Sequence, residues 1–136
     1  MNSIRFVPTA VHGIFDYVGG IGLIASPFIF GFSDLGGMAV ALPMVLGVGL
    51  IGYSLLTNYE RGITTLRIIP MRVHLVFDFV ASAFLAVAPF LFGYSNQGIN
   101  VWLPQTLAGL GVIGLVLVSQ TDPRPTSKVA TAKAAA

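Results

Sequence analysis

The chain has 136 residues, of which 55% are hydrophobic and only 9% charged, with a net charge of +2 and no cysteine. A water-soluble domain carries about 25% charged residues, so this composition excludes an ordinary soluble globule. The missing cysteines exclude disulfides, thiolate metal sites and a cysteine nucleophile. The apolar residues fall in runs of about 20, the length at which a helix crosses a bilayer. The sequence therefore predicts an all-α membrane protein.

The lead, residues 1–7, is followed by a first predicted span from about Thr9 to Phe32, with Pro8 placed to open the helix. Toward its end stands Ser26-Pro27-Phe28 and then Gly31. Pro27 removes a main-chain donor and is expected to bend or end the helix. The phenylalanines suit the headgroup region, and Gly31 suits a turn. A second span is predicted from about Met38 to Asn58, with Gly47, Gly49 and Gly52 giving a thin surface for helix packing. The linker NYERGITTLRII follows. The third span, about Met71 to Tyr94, repeats the first: His12, Asp16, Pro27, Phe28 and Gly31 recur 62 residues on as His74, Asp78, Pro89, Phe90 and Gly93. The fourth, about Val101 to Gln120, repeats the second, with Gly109, Gly111 and Gly114 in place of the earlier glycines. The expected units are a two-helix repeat over 1–62, a second over 63–122, and a disordered cytoplasmic tail over 123–136. Each repeat holds two spans, so the halves are parallel, related by a pseudo-twofold axis along the membrane normal.

All seven basic residues (Arg5, Arg61, Arg67, Arg72, Arg124, Lys128 and Lys133) fall in the lead, the linker region or the tail. The positive-inside rule then puts both termini and the linker in the cytoplasm of a multi-pass protein of the cell membrane. The same rule explains the basic residues without nucleic acid. The expected surroundings are the lipid bilayer, with a homo-oligomer or a larger membrane complex as the form of partnership.

GVGLIG at 47–52 and GLGVIG at 109–114 match the glycine pattern of dinucleotide sites, but each lies inside an uncharged helical run rather than after a strand. The reading is helix packing, and no cofactor is expected. His12 with Asp16, and His74 with Asp78, are spaced i, i+4, which puts imidazole and carboxylate on one helix face. Ionisable groups inside a span are functional candidates because exposure to lipid costs several kcal/mol or so. Three roles stay open for them: a tie between helices, a proton or ion relay, or a metal or haem site. No zinc spacing such as H-E-x-x-H is present, and no metal ligand set is assigned. Tyr59, Tyr94 and Trp102 are expected at interfacial depth.

With Ser26-Pro27-Phe28 near the end of the first helix of a two-helix unit, and VP-x-x-VH-x-x-FD at 7–16 answered by IP-x-x-VH-x-x-FD at 69–78, the chain resembles the SPW repeat family of small bacterial and archaeal membrane proteins. Phe28 stands where that family has Trp, and the second copy reads Ala88-Pro89-Phe90. The resemblance implies the two-helix repeat and no particular reaction. Without a nucleophile–base pair, a metal quartet or a phosphate loop, the favoured function is non-enzymatic: a structural or accessory protein acting by interaction. The alternatives are a small transporter or channel using the His–Asp pairs as a relay, and a haem or quinone redox protein.

Overall fold

The computed structural model describes residues 4–63, 65–125 and 134–135. Among them run four long helices: α1 (Thr9–Ile29), α2 (Gly37–Leu55), α3 (Met71–Leu91) and α4 (Ile99–Val118). Short 3-10 turns, Ser33–Leu35 and Ser95–Gln97, join α1 to α2 and α3 to α4. Most of the tail expected over 123–136 lies outside the described residues. Among the described residues α2, α3 and α4 are long and apolar enough to cross a membrane, each with mean hydropathy 1.9. α1 equals α3 in length but is not one of these, since Gly13, Gly19, Gly20 and Gly22 stand where α3 carries Leu75, Ala81, Ser82 and Phe84.

Each helix ends two or three residues before the predicted limit, for physical reasons visible at its end. Pro27 lies inside the last turn of α1, two residues before its final residue, Ile29. The Leu23 carbonyl, which loses its partner because Pro27 has no N–H, accepts a bond from the Ser26 hydroxyl at 2.8 Å. The helix then closes with the Phe32 N–H on the Pro27 carbonyl (2.8 Å) across Gly31 at φ +71°. That is the left-handed glycine C-cap. Gly93, at φ +74°, takes the same place after α3. α2 and α4 stop because the chain beyond them turns extended and pairs: Thr57 bridges Ile69, and Ser119 bridges Val7. Asn58 N–H donates to Ile69 O and Gln120 N–H to Val7 O, both at 2.9 Å. These two bridges bring the lead, the linker and the start of the tail to one end of the bundle.

α1 packs along α2, and α3 along α4; the two hairpins meet more sparingly, through α2 with α3 and α1 with α4. Two glycines set the close approach within the hairpins. A Cβ on Gly47 would stand 2.6 Å from the Gly20 carbonyl, and one on Gly109 would collide with the Ser82 carbonyl. The other four glycines of the predicted packing surface differ: a Cβ on Gly49, Gly52, Gly111 or Gly114 meets nothing within 4 Å. A helix turns about 100° per residue, so only one glycine of each trio can face its partner squarely.

At the end away from the bridges, Pro43 leaves the Ala39 carbonyl without its helical donor. The Gln105 amide of α4 donates to that carbonyl at 3.1 Å, and the Tyr94 hydroxyl donates to Gln105 Oε1 at 2.8 Å. Around this crosslink lies an apolar cluster of Phe32, Leu42, Leu85, Ala88 and Val101. Outward-facing positions are apolar too, with Val45 65% exposed and Phe28 64%.

Gly47→Ala and Gly109→Ala are expected to destabilise the bundle by about 1–3 kcal/mol each, the usual effect of overpacking a tight contact. Gly49→Ala and Gly111→Ala should leave it unchanged or raise its stability by about 0.5–1 kcal/mol through helix propensity. Thermal unfolding in detergent separates the two groups; equal losses at all four positions would contradict the assigned faces.

Candidate functional site

His12 and Asp16 lie in the first two turns of α1, and His74 and Asp78 in the first two turns of α3, all four buried. The i, i+4 spacing sets each pair on one face, as the sequence predicts. The tertiary structure does more: it merges the two pairs into one cluster between the hairpins. His12 Nε2 stands 3.3 Å from Asp16 Oδ1 and 2.9 Å from Asp78 Oδ2. His74 Nε2 stands 3.0 Å from Asp16 Oδ2 and 3.0 Å from Asp78 Oδ2. Each imidazole therefore faces its own helix's carboxylate and the other helix's at nearly equal range.

The outer faces of the rings are held in a matching way. His12 Nδ1 is 2.6 Å from the Ser119 hydroxyl, and His74 Nδ1 is 2.8 Å from the Thr57 hydroxyl. Both hydroxyls direct their own protons elsewhere, Ser119 to Leu115 O at 2.6 Å and Thr57 to Tyr53 O at 2.7 Å. A hydroxyl has one proton to donate, so each Nδ1 must be the donor in its contact. Nδ1 of each ring therefore carries a proton, and Nε2 is aimed at the carboxylates. Thr57 and Ser119 are the residues that bridge to Ile69 and Val7, so the chain pairing that ends α2 and α4 also sets the two hydroxyls against the rings.

The carboxylates have partners of their own. The Tyr59 hydroxyl donates to Asp16 Oδ2 at 2.5 Å, and the Tyr53 hydroxyl donates to Asp78 Oδ1. Tyr53 lies in the last turn of α2 and packs edge-on against His74, ring centroids 4.8 Å apart. Tyr59 is fully buried, with burial raising its hydroxyl's pKa well above the usual phenol value. The linker folds back under the bundle, and the Glu60 N–H is held by the Thr9 hydroxyl at 3.0 Å. Neither tyrosine was a sequence candidate. The one available signal was the nearness of both to the end of a helix that must lie beside α1 and α3.

Arg5, Arg67 and Arg72 are engaged at this end of the bundle. Arg5 donates to Val116 O (3.1 Å) and Ser119 O (2.7 Å), and Arg67 to Asn58 Oδ1 (3.2 Å). Arg72 bonds the exposed Asp122 at 2.9 Å and holds its carboxyl below the usual carboxylate range. Such an exposed pair adds little stability.

The signature positions lie at the opposite end. Ser26 and Pro27 are buried, the first in the hydroxyl–carbonyl bond that repairs the proline gap, while Phe28 points outward. Ala88 and Pro89 are buried and Phe90 is exposed in the same pattern, with Phe90 against Trp102 at 5.6 Å between ring centroids. A model of the SPW repeat domain matches residues 10–119. The chain belongs to the SPW repeat family. Neither the curated proteins nor the solved structures hold a match to it. In this SPW repeat protein the serine's place before the proline has a mechanical reason, since its hydroxyl supplies the bond that the proline withholds. The His–Asp cluster lies inside the matched region but more than two turns from the signature.

Beside the cluster, an apolar cleft of about 900 Å³ runs between α1 and α4. Asp16 lies at one end of it and Gln105 farther along, with Phe15, Leu23, Leu107 and Leu115 among its walls.

Removing one member of a buried, hydrogen-bonded charge set leaves the others uncompensated, which costs about 3–5 kcal/mol. Asp78→Ala should lose that much, and Tyr59→Phe about 1–3 kcal/mol for one missing donor to a buried carboxylate. A double-mutant cycle between His12 and Asp78 should return a coupling of about 0.5–3 kcal/mol; additive losses would mean that the two do not touch.

Proposed function

We propose that this chain is a non-enzymatic, multi-pass protein of the cell membrane, a structural or accessory subunit acting by interaction. In this reading all four helices cross the bilayer as two tandem hairpins about a pseudo-twofold axis along the membrane normal, and the termini and linker are cytoplasmic. One observation carries it: the four buried ionisable side chains are fully engaged with one another and with four hydroxyls, at the joint of two hairpins that otherwise meet sparingly. Such a site is a clamp. Arg5, Arg61, Arg67, Arg72 and Arg124 all belong to segments at the bridged end, which supports the cytoplasmic placement of that end.

A relay would need a polar path away from the cluster toward both sides of the membrane. The α1–α4 cleft that reaches Asp16 has apolar walls, and the far end of the bundle is filled by Phe32, Leu42, Leu85 and Val101. A haem between the two histidines fits less well still. Both Nε2 atoms already contact carboxylates, and the rings stand edge to face with centroids 5.5 Å apart. A porphyrin plane would have to displace both aspartates.

Reporter fusions after Gly36 and Gln97 are expected to read outside the cell, and one after Arg61 inside. Proteoliposomes loaded with a pH-sensitive dye should show no proton or cation flux above lipid alone. Flux that disappears in Asp16→Asn and Asp78→Asn would replace this reading with the relay.

A further inference from the structure

We propose that His12, Asp16, His74 and Asp78 form a closed binding site for one divalent transition-metal ion of the zinc class, which pins the two hairpins together. The inference rests on the reading of this cluster as the joint between the hairpins, and it names what holds that joint.

The four side chains converge on one centre instead of standing as two separate pairs. Here each Nε2 lies within 3.3 Å of both carboxylates, and one ligand atom from each of the four residues falls within 4.8 Å of all the others. Groups arranged around a common centre suit a spherical cation. Zinc–ligand bonds of about 2.0–2.2 Å in tetrahedral geometry place neighbouring ligand atoms about 3.4 Å apart. The imidazole–carboxylate separations are 2.9–3.3 Å, with His12 and His74 against different oxygens of Asp16, and the four ligand atoms lie within 4.8 Å of one another, so closing on an ion takes a small inward shift of the side chains.

The surroundings are those a metal requires. Both rings donate from Nδ1 to a hydroxyl, so Nε2 of each is the nitrogen directed at the centre, and a ring that gives up its Nε2 proton to an entering ion presents a lone pair there. Metal-bound histidines are held in this way by their other nitrogen. Each carboxylate also accepts a tyrosine hydroxyl, Tyr59 on Asp16 and Tyr53 on Asp78, which fixes its orientation. Charge agrees as well: two carboxylates, two neutral imidazoles and one divalent ion sum to zero, the arrangement a buried site tolerates best. Nitrogen and carboxylate oxygen suit zinc and its neighbours, and without a thiolate there is nothing to favour a soft monovalent ion. Four protein ligands leave no open position, which marks a structural rather than a catalytic centre. The ligands come from two helices 62 residues apart, so no local zinc spacing exists for the sequence to display, and the ion would enter as the hairpins dock.

The test uses the full-length chain, purified in detergent through a tag that contains no histidine and dialysed against zinc. Elemental mass spectrometry should find about one ion per chain, falling to background in the His12→Gln/His74→Gln variant. Ser119→Ala, which keeps all four ligands, should still fold and should bind zinc about 10–100-fold more weakly. Cobalt(II) in place of zinc should give the strong visible absorption of tetrahedral coordination. Chelation should lower the melting temperature and added zinc restore it. Wild-type protein that retains no ion and melts identically with zinc or with chelator overturns the metal. If Asp78→Ala is then still destabilised, the clamp survives with protons in the ion's place. One bound ion together with an Asp78→Ala protein that melts like the parent would instead keep the metal and refute the clamp.

Discussion

Everything at the bridged end of this bundle follows from one constraint: two carboxylates and two imidazoles have been placed where water cannot reach them. A buried carboxylate without compensation is among the most expensive groups a protein can hold. Here the compensation comes from convergence. Asp16 and Asp78 each face both imidazoles, each accepts a tyrosine hydroxyl, and each ring is anchored from behind by a hydroxyl. The interaction is satisfied only when both hairpins are present. It therefore does what apolar packing cannot do in a lipid-like environment, where leucine gains as much from lipid as from another leucine.

The second constraint is the helical backbone, which prolines interrupt at several places inside the apolar helices. In each of two cases a neighbouring polar side chain meets the carbonyl left over. Ser26 repairs the gap at Pro27 from within its own helix, and Gln105 repairs the gap at Pro43 from a different helix. The difference matters. The serine bond is local and shapes only the end of α1, whereas the glutamine bond ties α4 to α2, with Tyr94 behind it. The two ends of the bundle are thus joined by different chemistry, ionisable groups at one and a neutral amide at the other, with apolar side chains between. In this chain Ser26 before Pro27 is a local device, a helix end whose backbone is kept satisfied.

Much of the architecture was legible in the chain itself. Run lengths near 20 apolar residues, glycine after each Pro-Phe-x-Phe, and the recurrence of Arg5 to Ser33 at Arg67 to Ser95 sufficed to place four helices in two hairpins joined by short turns. The i, i+4 spacing of His12 with Asp16 and of His74 with Asp78 put each pair on one face. These are local properties, set by helical periodicity and by the conformations open to glycine and proline, and a single segment contains them. Which glycine of each trio meets its partner was not among them, because Gly47 and Gly49 differ in facing by two helical steps and only the position of the opposing helix chooses between them.

What tertiary structure alone decided is the identity of the site. The sequence offered two separate His–Asp pairs; the fold makes one cluster, because helices 62 residues apart bring their first turns together. Tyr53 and Tyr59 enter it from the end of α2 and from the linker, and Thr57 and Ser119 enter because the chain leaves α2 and α4 in extended bridges that turn their hydroxyls inward. No spacing in the sequence relates these residues to the histidines they serve. Their convergence depends on how two hairpins dock, and docking is a property of surfaces meeting in three dimensions, which a pattern read along one chain does not contain.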